Sequence, residues 1–220
     1  MAGTASIPAG MAKCYGNRVA TISSAKPDEL AAAAFALFST RGIAGVNMDE
    51  IAAGAGVTKG SLYWHYASKK EVILAACNLY YSAWRIQIAG ATEVHERLAD
   101  QLEAAVAFSV RSCLLDDANR VFTTEIVAMS LYDADVRASW TSFLDETERF
   151  FLGLTHRAVG AGEFRCDDVD RAVDLLMASM EGIKQIALFR PQSCLPENEQ
   201  RTCRRLMSLM GERVPVHAPV

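Results

Sequence analysis

Three helix-start signals follow one another between Asn47 and Glu71, and glycines close the gaps between them. Asn47 can cap a helix while Glu50, three residues on, reaches back to complete a capping-box arrangement. Ile51 and Ala52 give that helix an apolar face. Gly54 and Gly56 end it within about two turns, because glycine tolerates the left-handed backbone of a sharp turn. Thr58 can cap a second short helix, Lys59-Gly60-Ser61-Leu62-Tyr63-Trp64-His65, with Leu62 and Tyr66 turned to the core. Ser68 and Glu71 open a longer helix, in which Val72, Ile73, Ala76, Cys77, Leu79 and Tyr80 keep a helical period towards Ile88.

The rest of the chain is patterned the same way. Leu30, Ala33, Ala34, Leu37 and Phe38 predict one buried face of a helix from Pro27 to Thr40, started by a proline and two acidic residues and stopped at Arg41-Gly42. Beyond Gly90 the periodicity predicts helices over Glu93 to Leu115, Asn119 to Leu131, Asp135 to Ala161, Val169 to Phe189 and Pro196 to Glu212, with no useful strand-like alternation and no repeat of fixed period. Residues 1–25, scattered with Gly, Ser, Thr and Pro, read as a flexible leader, and 214–220 as a tail. The fold class is therefore all-α. With 220 residues, 51% of them hydrophobic, the chain can build a sizeable core.

Two short helices joined by a glycine-containing turn, the second polar on its outer face, have the form of a helix-turn-helix, whose second helix can enter the major groove of duplex DNA. The start of that helix, Thr58, Lys59, Gly60 and Ser61, offers free N–H groups and small residues for close approach to phosphate. Tyr63 and His65 can add hydrogen bonds, and Lys69 and Lys70 cationic contacts. Tyr63 could instead pack under the turn, and Trp64 could cover the helix junction rather than meet DNA.

The run from Gly42 to Glu71, GIAGVNMDEIAAGAGVTKGSLYWHYASKKE, resembles the DNA-binding signature of the TetR family of transcriptional repressors, and the resemblance in pattern extends over roughly residues 26 to 90. Asn47 stands where the family more often has Thr, and Tyr66 where it more often has Phe. The Gly162-Glu163-Phe164-Arg165 turn before Asp167 and Asp168 also looks like the family. The resemblance implies an N-terminal three-helix helix-turn-helix unit, placed at 26–75, followed by a larger antiparallel helical effector-binding and dimerisation domain at 76–213. It further implies a homodimer on a near-palindromic double-stranded operator, released when a small effector binds. On the family pattern Thr58, Lys59, Gly60, Ser61, Tyr63, Trp64 and His65 fall on the recognition helix, and Asn47 and Lys69 at helix starts that meet phosphate.

Charge agrees with a divided chain. The net −4 leans against nucleic acid, yet residues 1–75 carry +2 and the remainder −6. In the acidic part, Trp84, Phe108, Met129, Phe143 and Met177 are core residues by default and candidates to line an effector pocket, with Arg111, Glu125 and Glu181 as polar anchors. The effector would be at least partly apolar. Leu175, Leu176, Met180, Ile183, Ile186, Leu206 and Leu209 predict a four-helix contact between copies through the last two long helices, with Arg201, Arg204 and Arg205 on its rim.

Enzymatic chemistry finds no foothold: no nucleophile elbow or phosphate-cradling glycine pattern occurs, so no catalytic residue and no cofactor is expected. His95, His156 and His217 are too widely spaced for a local metal pair. Six cysteines without a Cys-x-x-Cys pair, no secretory pattern and no apolar run of bilayer length predict a soluble, cytoplasmic protein with reduced thiols and no membrane contact. The competing readings are a helical small-molecule-binding protein or enzyme that keeps the helix-turn-helix as an interaction surface, and an activator or architectural DNA-binding protein without an effector.

Overall fold

The computed structural model describes residues 27–215; the expected leader, the end of the tail, Cys14 and His217 lie outside them. The described chain is all-α. Its helices are α1 (Pro27–Arg41), α2 (Met48–Gly54), α3 (Lys59–His65), α4 (Lys69–Thr92), α5 (Leu98–Ser109), α6 (Asp117–Ser130), α7 (Ala134–Gly160), α8 (Val169–Ala187) and α9 (Glu199–Met210). Two strands of two residues, β1 (Phe164–Arg165) and β2 (Glu212–Arg213), pair antiparallel, too short to leave an alternating pattern in the sequence. Among the described residues no helix is long and apolar enough to cross a membrane, and no group of three or more His, Cys, Asp or Glu side chains could hold a metal ion.

By its contacts the chain divides into two compact units: one runs through Trp84 and takes in Asp117–Trp140, the other holds Arg85–Asp116 and resumes at Thr141. In the first, α1 packs against α2 and α6. Its core is an aromatic cluster: the Phe35 ring lies 4.7 Å from Phe122 of α6 and stacks at 6.3 Å on Tyr80 of α4. This cluster rotates the buried face of α1. Leu30, Ala31, Ala34, Phe35 and Phe38 are buried, whereas Ala33 and Leu37, expected inside, are only half-buried, because α1 has neighbours on two sides. Cys77 is fully buried on α4, and burial pushes its thiol up to about 12, which keeps it protonated and inert.

In the second unit α5, α8 and α9 pack together with a single stretch of π-helix, Val110–Leu115, that continues α5. The helix expected from Glu93 starts only at Leu98. The chain turns after α4, His95 N–H donating to Thr92 O, and the start of α5 is capped by Glu163, whose Oε2 accepts Ala99 N–H at 3.0 Å. Phe164 is buried, and Val214 N–H donates to Glu163 O, so the turn before α8 is tied to the chain after α9. Arg213 adds ion pairs to Asp100 and Glu103 of α5. The last helix is shorter than expected. Pro196–Asn198 forms a 3-10 turn, and Gly211, at φ +146°, ends α9 where a Cβ would fall 2.1 Å from Arg165 O.

The charged edge of the α8 and α9 pair is open to solvent at Arg201, Arg204 and Arg205. Leu176 and Leu206, expected to reach a second copy, are buried within the chain, while Leu175, Ile186 and Leu209 are exposed and Met180 and Ile183 half-exposed. His95 and His156 are exposed.

Candidate nucleic-acid interface

Local chemistry builds the two short helices. Asn47 Oδ1 accepts Glu50 N–H at 3.0 Å and Glu50 Oε2 accepts Asn47 N–H at 2.9 Å, a complete capping box at the start of α2. Arg41 clamps it, one guanidinium nitrogen reaching Glu50 Oε1 at 2.6 Å and Gly45 O at 2.9 Å. The Asn47 amide and the Arg41 guanidinium together hold the Glu50 carboxyl below its usual value. Gly56, at φ +68°, makes the turn that follows, and Val57 N–H closes it on Ala52 O. Thr58 Oγ1 then accepts Ser61 N–H at 3.1 Å and starts α3. Ser68 Oγ accepts Glu71 N–H, while the Glu71 carboxylate reaches past Ser68 to Ala67 N–H.

The outer face of α3 is laid out by one buried anchor. Leu62 is 0% exposed, and the helical period then turns Tyr63 (43% exposed) and Trp64 (80%) outward. Tyr66 is half-buried, its hydroxyl donating to Pro27 O at 3.0 Å. Thr58, Lys59 and Gly60 are exposed and Ser61 is half-exposed. The His65 ring packs edge-on to Trp64 with centroids 4.6 Å apart, and its Nε2 is buried, so that nitrogen is not presented outward. Lys59 pairs with Asp49 of α2 at 2.7 Å, which holds the ammonium above its usual value.

A cleft of about 490 Å³ opens between the two short helices. Ala44 to Asp49 form one wall, Lys59 and Tyr63 the other, and Lys69 also lines it. The two lysines at the start of α4 have partners that sequence spacing did not reveal. Lys69 Nζ donates to Ile43 O in the turn between α1 and α2, and Lys70 lies 2.5 Å from Asp135 in the first turn of α7 and 3.7 Å from Asp133 just before it.

The residues expected to line an effector pocket divide between the units. In the first, Trp84 is buried, Met129 is half-buried, and Glu125 accepts Ile43 N–H at 2.9 Å. In the second, Phe108 and Phe143 are buried and Met177 is half-buried. There Arg111 is exposed and paired with Glu199 at 2.8 Å, and Glu181 is paired at 2.8 Å with Lys184. Lys184 escaped the sequence reading although only 2% of it is exposed; its acidic neighbour three positions earlier was the available signal.

Comparison with known proteins places this geometry. Residues 30–76 match the model of the bacterial regulatory proteins of the tetR family. The HTH-type transcriptional repressor KstR2 of Mycobacterium tuberculosis is 42% identical over 57 residues, which cover 26% of this chain and 28% of the repressor. The HTH-type transcriptional regulator SrpR of Pseudomonas putida is 44% identical over 43 residues, 20% of each chain. The chain thus matches between a fifth and somewhat over a quarter of the length of these relatives. Likeness of fold reaches further. A TetR transcriptional regulator from Chloroflexus aurantiacus superposes with a TM-score of 0.70 at 23% identity, over 83% of this chain and 92% of that one. The M. tuberculosis ketosteroid regulator KstR2 gives 0.61 at 19% identity, over 89% and 100%. The family match thus falls on the segment that builds α1 to the first turns of α4, and over that segment the chain is similar to the tetR family of bacterial regulatory proteins.

Proposed function

We propose that this protein is a ligand-responsive transcriptional regulator, acting as a cytoplasmic repressor that reads a palindromic operator as a homodimer. Residues 26–75 are the reader and 76–213 the effector and dimer part. The observation that carries the reading is the pair Tyr63 and Trp64, two aromatic side chains exposed on a two-turn helix that is capped at Thr58 and anchored by Leu62. Large aromatics left this exposed on so short an element bury little apolar surface within the fold, as side chains that meet a partner do. In the cleft beside them Lys59 and Lys69 set two ammonium groups against the one carboxylate of Asp49, a balance that favours the phosphate-rich surface of DNA. The match of residues 30–76 to the tetR-family model and the 42% identity of 57 residues to a transcriptional repressor support the same use. Exposed Leu175, Ile186 and Leu209 on α8 and α9 support pairing with a second copy. A small, partly apolar effector would weaken operator binding, and the operator would weaken effector binding by the same factor.

The test is a titration of the full chain against duplexes selected from a random library, at two or more salt concentrations. Trp64→Ala and Lys59→Ala are expected to lower affinity for the selected duplex by a factor of about 10 and to relax base preference, in line with the loss of one base contact. Lys69→Ala is expected to weaken all duplexes about equally. No duplex retained by the wild type, or three variants indistinguishable from it, would sink the reading.

A further inference from the structure

The turn between α1 and α2 is gripped from two sides at one residue, Ile43. Ile43 N–H lies just past the last turn of α1, where Gly42 N–H has already taken Phe38 O, and it donates to Glu125 Oε2 of α6 at 2.9 Å. The C=O of the same residue accepts from Lys69 Nζ of α4. A carboxylate and an ammonium from two different helices therefore grip opposite ends of Ile43, whose own side chain is 8% exposed. Gly42, at φ +73°, lets the Glu125 carboxylate lie against the turn: a Cβ there would meet Oε2 at 3.4 Å. The residues that follow Ile43, from Ala44 to Asp49, are one wall of the cleft whose other wall carries Lys59 and Tyr63.

We propose that Glu125 is a positioning residue for this cleft: by accepting the Ile43 amide it fixes the near wall, and with it Asn47, at the distance from α3 that duplex DNA requires. The inference rests on the DNA-reading proposal and adds a part to it, since Glu125 lies on α6, outside the reading helices, and would act through the backbone of the turn. A buried amide without an acceptor is costly, so removing the carboxylate forces the turn to shift until water or another group satisfies Ile43 N–H. Because Glu125 replaces no phosphate contact, its loss changes affinity without changing the number of counterions released.

The experiment measures binding of the full chain to the selected duplex and to a scrambled duplex of equal length, across a salt series, with thermal melts of each variant. Glu125→Ala is expected to lose about tenfold in affinity for the selected duplex, the equivalent of one unsatisfied amide. The loss on the scrambled duplex is expected to be smaller and the salt slope unchanged. Glu125→Gln, whose amide oxygen can accept the same hydrogen bond, is expected to restore most of the affinity. If Glu125→Ala melts below the assay temperature, Glu125→Asp, which withdraws the acceptor by one methylene, takes its place with the same expectation. Wild-type affinity in the Ala or Asp variant overturns the inference, as does equal loss on both duplexes or failure of Gln to rescue. Failure of the wild type to retain any duplex overturns the DNA reading itself, which separates the two.

Discussion

Leu62 and Trp64 sit two positions apart on one short helix and do opposite work. The first is fully buried and the second four-fifths exposed, so the fold of α3 and its outward chemistry depend on different side chains. Leu62→Ala is expected to cost about 2–5 kcal/mol of stability, the range for emptying a buried leucine site. A denaturant titration checks it, and a loss under about 1 kcal/mol would mean that α3 is not anchored there. This division could be read in the sequence, because the direction of a helical side chain follows from its spacing. What spacing could not give was the partner of each polar group. Lys69, Lys70 and Glu125 looked like solvent or ligand contacts, and each is engaged by a group 26, 65 or 82 positions away.

At the scale of elements, starts and stops built from neighbouring residues were legible, and those built from distant ones were not. The capping box of Asn47 and Glu50, the Thr58 cap and the Gly56 turn occupy a few consecutive residues and fold as the pattern says. The start of α5 depends on Glu163, 64 positions away from the amide it caps, so periodicity alone extended that helix back to Glu93. The rotated face of α1 has the same origin, since Phe35 is drawn in by rings on α4 and α6. The α2 cap also carries a pH dependence. The Glu50 carboxyl is held below its ordinary value of 4.5 by the Asn47 amide and Arg41. Its contribution is therefore complete above that value and is lost as pH falls through the lowered one. Urea midpoints at pH 6 and pH 3 are expected to differ less in Glu50→Gln than in the wild type, because the variant keeps an acceptor but has no proton to take up. An unchanged difference would exclude Glu50 as a source of acid sensitivity.

For the whole molecule, the net charge of −4 conceals a segment of opposite sign, and the exposed apolar residues are divided as well. Tyr63 and Trp64 mark one surface, and Leu175, Ile186 and Leu209 another, on α8 and α9. If the second surface joins two copies, Ile186→Asp should convert the dimer to a monomer, since a charge placed at the centre of an apolar contact is left unpaired in both subunits. Light scattering of the two proteins at equal concentration checks this, and equal masses would move the interface elsewhere. The three tryptophans are unevenly placed: Trp84 and Trp140 are buried, and only Trp64 stands in water. The protein therefore carries an intrinsic optical reporter at the surface in question. Its quenchable, red-shifted fraction of fluorescence belongs to a single indole, so occupation of α3 can be followed without a label, while the two shielded indoles serve as an internal reference.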